Sequence, residues 1–285
     1  QSRWGSPSML RLLISLCLLM SSLQAQAQQP VYRFSPVNQW DIPKTAAYWN
    51  PIIQYVSQQS GVQLELKIGR TSADTTAYVL AQEVEFVFSN HLFSPERDKL
   101  GWKVFGRRTG PALQGQIAVL EDSPIQTLEE LRGENVVHAG REAFVGYRVP
   151  QAHLLNKGIE TNPVFAGNQN AAFAQLIAGK AKAVGSNSAL IDGYTETQGT
   201  KFRVLWTSES YLDLALMASS KVKPKDIAAV AKAFINMHKT PEGALILKQA
   251  SESVGMDPES HFLSSSDRDY DSYRRFYATA PISVR

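Results

Sequence analysis

Short apolar runs alternate along this chain with longer stretches in which apolar residues recur every three to four positions, a rhythm that predicts strand–helix–strand units. Residues 31–34 read as a short strand, followed by the turn-rich loop Ser35-Pro36-Val37-Asn38-Gln39-Trp40. Asp41 is placed to cap a helix that enters through Pro43 and reaches Gln59, with Ile52, Ile53 and Val56 on one face and Gly61 as its stop. Pro51 falls inside that helix and should kink it. A strand at 62–68, a helix at 71–82 and a strand at 84–88 complete a β-α-β-α-β run, whose helix-length spacers predict a parallel sheet.

A short helix near 95–100 then leads to apolar runs at 103–107 and 116–120. Gly110, Pro111 and Gly115 join them, so this stretch can carry the chain from one lobe into another. Thr127-Leu128-Glu129-Glu130 has capping-box spacing ahead of a very short helix ended by Gly133. The focal stretch is 136–150, V-V-H-A-G-R-E-A-F-V-G-Y-R-V-P. Val136 and Val137 end a buried strand, Ala139 and Gly140 turn, and a helix is expected over 144–157 with Gly158 as its stop. A helix start at the carboxyl end of a strand offers free N–H groups and the positive end of the helix dipole to an anion, although an ordinary α/β corner has the same pattern. A second unit follows: strand 163–165, helix 168–178, strand 181–184. Residues 202–206 read as a strand and 212–218 as an apolar run that crosses back. Helices at 224–238 and 241–253, the latter with Thr240 as cap and Gly255 as stop, and a short helix around Asp269-Tyr270-Asp271-Ser272-Tyr273 close the sequence.

Two crossings between two halves predict an α/β, two-lobe fold, each lobe a mainly parallel sheet flanked by helices, with a cleft that closes about a hinge. Residues 28–112 and 214–285 are assigned to lobe one and 113–213 to lobe two.

Composition adds a targeting signal. Arg11 precedes an apolar run over 12–20, and Ala25-Gln26-Ala27 has the small-x-small pattern of a signal-peptidase site, so export with cleavage after Ala27 is expected. Met9 is the expected natural start, with residues 1–8 a non-native extension. The run is shorter than the ~20 residues of a permanent span. Cys17, the sole cysteine, lies within it, which leaves the mature chain without disulfides, zinc-thiolate sites or a cysteine nucleophile. From Gln28 onward 27 basic residues face 26 acidic ones, a net charge of +1 that gives no electrostatic case for nucleic acid.

Several residues resemble one known family in order and spacing. Trp49-x-Pro51 with Gly61, Asp122-Ser123-x-Ile125, Leu128-x-x-Leu131-x-Gly133, Gly146-Tyr147-x-Val149-Pro150 and Asp213 together are similar to the phosphate/phosphite/phosphonate-binding branch of bacterial periplasmic solute-binding proteins of ABC importers. The resemblance implies a type II binding-protein fold, a small anionic ligand, a membrane permease as partner and a monomer. It also implies an anion held at the focal helix start, where the family carries Ser-Thr-Ser-Gly. Here Ala143, Phe144, Val145 and Gly146 stand there: the backbone N–H groups remain and three hydroxyls are gone. The family's histidine before the next helix falls at Gln169 or Asn170; Lys182 replaces an aspartate in the following strand, and Glu85 stands for an aspartate in lobe one. A phenylalanine there points either to an organic group on the ligand or to a site that has lost its transport ligand; the expected ligand is an organic anion or phosphonate-like molecule, with its charge on the helix start and its organic part against Phe144.

The remaining candidates have bland alternatives. Asp213 can accept from a protonated oxyanion or an amine, or merely cap a strand. Arg141 and Arg148 flank the helix start and suit bidentate anion contacts, as many surface arginines would. Tyr147 can stack on a ligand or fill the core. Asn90 and His91 follow the 84–88 strand where lobe one meets the cleft, and Thr71 and Ser72 open a helix as donors or plain caps. There is no G-x-S-x-G, no G-x-x-x-x-G-K-[ST] and no H-E-x-x-H, and the five histidines show no paired metal-ligand spacing. Neither enzyme activity, cofactor nor metal is expected. The alternative role for the same fold is a ligand sensor that docks on a membrane receptor kinase.

Overall fold

A computed structural model describes residues 28–285; the expected leader and its cleavage site lie outside the described residues. The first sheet has strand order β11-β4-β10-β3-β1-β2. Its members are β1 (Val31–Pro36), β2 (Gln63–Leu66), β3 (Phe86–Ser89), β4 (Lys103–Arg108), β10 (Ala215–Ala218) and β11 (Phe262–Ser264). The second has the order β7-β6-β8-β5-β9, built from β5 (Leu113–Leu120), β6 (Asn135–His138), β7 (Asn162–Phe165), β8 (Ala183–Asn187) and β9 (Phe202–Tyr211). The chain passes between the sheets twice, from β4 to β5 and from β9 to β10.

Helix α1 (Ile42–Ser60) starts and stops as its sequence dictates. The Asp41 side chain accepts from the Lys44 N–H, and Gly61 takes the left-handed conformation, φ 69°, that favours glycine. The helix runs on through Pro51 and buries Trp49, Ile52, Ile53 and Val56 against Phe34, Phe86, Phe88 and Phe234, the last from α7 (Pro224–Asn236). Because successive strand residues point to opposite faces, Val87 packs on the other side of the sheet, with Phe93, Trp102, Tyr270 and Tyr273. The second sheet is filled the same way. Ile117, Val119, Val136 and Leu154 cluster on one face; Ala118, Val137, Phe173 and Val184 cluster on the other. Both sheets thus bury two faces, which is why their central strands read as unbroken apolar runs.

Three features depart from the pattern read in the sequence. The sheets are mixed rather than mainly parallel: β1/β3, β6/β7 and β6/β8 are parallel, whereas β10 runs antiparallel to β3 and β4, and β5 antiparallel to β8 and β9. The spacer helices do produce parallel neighbours, but each strand entered by a crossing comes in from the opposite end. Helix α6 (Ser188–Gln198) was not predicted, since Ile191 is the one residue it buries and no apolar stripe announces it; Asn187 caps its start and Gly199, φ 71°, its end. β11 was also missed, a three-residue edge too short to show alternation.

The last elements are α8 (Pro241–Ser253), in which the Thr240 hydroxyl accepts from the Gly243 N–H, and α9 (Asp271–Thr279). The tail beyond α9 packs Ala280 and Val284 against Tyr147 and Ala152 of the second sheet's layer, while Tyr270 and Tyr273 pack in the first.

Candidate functional site

The corner after β6 is shaped by Pro150. A proline lacks the N–H that would bond the carbonyl four residues back, which leaves the Gly146 carbonyl without its helical donor. His138 supplies one: its Nδ1 lies 2.8 Å from the Gly146 oxygen and donates to it from a fully buried position. The backbone between widens into a π turn, Phe144–Arg148, in which the Tyr147 and Arg148 N–H groups share the Ala143 carbonyl before α4 (Val149–Asn156) begins. Two glycines permit this packing. A Cβ at Gly185 would meet the His138 ring and stand 2.6 Å from the Gly146 oxygen, and one at Gly115 would strike the Val145 carbonyl. Burial pushes the His138 imidazole down to about 4 against the smaller upward pull of its bond to Gly146, so it is neutral at pH 7. Its Nε2 has no partner among the described residues.

Glu142 lies just before this turn and meets residues from the first sheet's layer. The guanidinium of Arg97, on the four-residue helix α3 (Pro95–Asp98), faces both carboxylate oxygens at 3.3 and 3.5 Å and also donates to the His91 carbonyl at 2.9 Å. Arg148 approaches the same carboxylate to 3.5 Å, and the His91 Nδ1 to 4.0 Å. Burial pushes the Glu142 carboxyl up, but the Arg97 hydrogen bond and the surrounding positive charge outweigh it, and the net shift is downward. Burial carries His91 the other way, down to about 4, with Glu142 opposing and the two arginines reinforcing. The second contact of His91 is the Thr76 hydroxyl at 3.3 Å, on α2 (Ser72–Leu80).

An aromatic cluster closes the other side of the corner. Phe144 is only 4% exposed, with ring centroids 4.3 Å from Tyr273, 5.0 Å from Tyr211 and Phe276, and 5.8 Å from Tyr277. Asn90 donates to the Tyr273 hydroxyl at 3.3 Å, and that hydroxyl donates to the Leu212 carbonyl at the second crossing. Tyr270 donates to the Asp213 carbonyl at 2.9 Å.

The structure therefore gathers Asn90, His91, Ala143, Phe144, Val145, Gly146 and Asp213 around the junction of the two layers. Ser72 stands one turn before Thr76 on the same face of α2. Phe144 is packed in the aromatic cluster, so its ring does not present the open apolar face expected of it. The Asp213 carboxylate accepts from the Leu214 N–H at 2.8 Å, the strand-end role weighed against ligand binding. Tyr147 packs edge-on to His138 and Phe165. Arg141 is exposed and covers the Phe165 ring at 4.4 Å instead of joining the Glu142 cluster. Gln169 opens α5 (Gln169–Ile177) with its Nε2 buried and without a partner among the described residues. Sequence reasoning missed Arg97, Glu142, Tyr273 and the part played by His138. A histidine at the strand end, with Pro150 four residues beyond Gly146, was a legible signal for the last.

Among the described residues no group of three or more His, Cys, Asp and Glu is arranged to hold a metal, and no helix is long and apolar enough to cross a membrane. Residues 37–270 match the family model described as ABC transporter, phosphonate, periplasmic substrate-binding protein. No protein of curated function matches the sequence. Among solved structures, a binding protein component of an ABC phosphonate transporter from Pseudomonas aeruginosa superposes with a TM-score of 0.67 at 16% identity, covering 87% of this chain and 86% of that one. XAC2383 from Xanthomonas citri, bound to ATP, gives 0.71 at 14% identity over 87% and 96% of the chains. PhnD1 from Prochlorococcus marinus, in complex with methylphosphonate, gives 0.68 at 13% over 86% and 96%. At these identities the superpositions establish a shared fold.

Proposed function

The chain belongs to the family of periplasmic substrate-binding proteins of phosphonate ABC transporters, and from that membership we propose that it captures a small organic anion between its two lobes and hands it to a membrane permease. The family consists of exported solute-binding proteins, not enzymes. Lobe one is taken as residues 28–112 and 214–285, and lobe two as 113–213.

The observation that carries the reading is the convergence of Arg97, Arg148 and His91 on Glu142, beside the turn that opens at Ala143. The first N–H groups of a helical segment have no partner within it, and the positive end of its dipole favours an anion. Closure is favoured because the donors come from both layers and only one arrangement brings them to the same ligand. The missing hydroxyls at Ala143, Phe144 and Val145 set the selectivity: each charge-assisted hydrogen bond withheld from a phosphate oxygen forfeits roughly 1.5–3 kcal/mol. Inorganic phosphate, with four oxygens to satisfy, is thus a poorer ligand than an organic anion that carries fewer.

Thermal denaturation of the chain from Gln28 onward, against phosphate, phosphite, alkyl- and aminophosphonates, sulfate and small carboxylates, tests this. A ligand at 100 times its dissociation constant stabilises the native state by ~2.7 kcal/mol, readily seen as a raised melting temperature. A shift with an organic anion and little with phosphate is expected. Tight phosphate binding by calorimetry with indifference to organic analogues overturns the selectivity, and no shift with any of them overturns the ligand class.

A further inference from the structure

We propose that the guanidinium groups of Arg97 and Arg148 form an oxyanion subsite whose resident occupant is the Glu142 carboxylate, and that the ligand's anionic group enters by displacing it. The inference rests on the reading above that the ligand is a small organic anion. Arg97 presents two nitrogens to the two oxygens of Glu142, the forked arrangement in which arginine binds carboxylates and phosphonates alike. Arg148 shares one of those oxygens. The three contacts, at 3.3, 3.5 and 3.5 Å, are longer than the ~2.7–2.9 Å of a tight charge-assisted hydrogen bond, so the carboxylate is held without being locked.

Charge and access favour exchange. Two guanidinium groups face one carboxylate, and His91, neutral at pH 7, adds no charge, which leaves one positive charge in excess. A ligand oxyanion meets that excess; the Glu142 side chain, 24% exposed, has a route to water. Glu142 thereby sets a threshold. An anion that cannot grip both arginines at once does not outcompete a carboxylate already tethered beside them.

Titration calorimetry on the wild-type chain and on Glu142→Gln, Arg97→Gln and Arg148→Gln, with methylphosphonate and acetate as probes, tests the proposal. Circular dichroism confirms that each variant folds, and Glu142→Ala serves as a second removal of the carboxylate. Glu142→Gln should bind the preferred probe about tenfold more tightly, and each arginine variant about tenfold more weakly, the scale of one charge-assisted hydrogen bond. Unchanged or weaker binding by both Glu142 variants, with wild-type binding intact, overturns the displacement idea and leaves the ligand class standing. If neither the wild type nor Glu142→Gln takes up either probe or any anion of the wider panel, the ligand class itself fails and this proposal falls with it.

Discussion

His138 shows how one absent backbone hydrogen propagates. Pro150 withholds a donor from Gly146, a buried imidazole supplies it, and the imidazole must stay neutral to remain buried. The consequence for pH follows from linkage. Below the ordinary value of 6.5 an unfolded chain takes up a proton at this site, whereas the folded chain does so only near 4. The unfolded state therefore binds more protons throughout that window, and stability falls as pH drops from 6.5 towards 4, by about 3 kcal/mol at most for one such group. His91, also brought down to about 4, adds a loss of the same sign. Melting temperatures measured from pH 7 to 4 should decline, and more steeply in the wild type than in His138→Gln, whose amide does not titrate. Residue-level reading of the sequence succeeded where the signal was local, as with Asp41, Thr240 and Gly61 at helix ends. It could not see Arg97 and Glu142 meet, because nothing in either neighbourhood marks a partner 45 positions away.

At the scale of elements, the corner after β6 is held by close approach as much as by hydrogen bonds. Gly185 on β8 lies so near the Gly146 carbonyl and the His138 ring that Gly185→Ala must push the π turn away. Overpacking of that kind costs about 1–3 kcal/mol, and urea denaturation should register it together with weakened ligand binding, since the same turn carries the proposed donors. Phe144 does the complementary work from the other side. Its ring fills the space among Tyr211, Tyr273, Phe276 and Tyr277, so Phe144→Ala should cost about 3 kcal/mol or more through the cavity it leaves. The strands and capped helices were legible from alternation and end signals. Helix α6 was not, because a helix that buries only Ile191 writes no stripe into its sequence. The aromatic cluster was equally invisible: it joins side chains from the π turn, the second crossing and α9, and periodicity within any one of them says nothing of the others.

On the scale of the whole molecule, the order of elements alone suggested two crossings and two sheets, and the structure places a sheet on either side of each crossing. What that order could not reveal is the course of the chain's end. After α9 the tail lays Ala280 and Val284 against Tyr147 and Ala152, so the segment that starts among the first sheet's aromatics finishes on the second sheet's helices. Two connecting strands by themselves let the halves turn at little more cost than a few backbone torsions. An apolar seam is different, because parting it returns buried surface to water at roughly 25 cal/mol per Å². On the proposed reading, in which the halves part to release a ligand, a barrier of that kind slows their parting and with it the ligand's escape. Val284→Asp, which sets a carboxylate into the seam, should therefore shorten ligand residence in stopped-flow release more than it weakens equilibrium affinity. An unchanged release rate would mean that the tail rides with one half and leaves dwell time to the crossings and to the other contacts between the layers, such as that of Arg97 with Glu142.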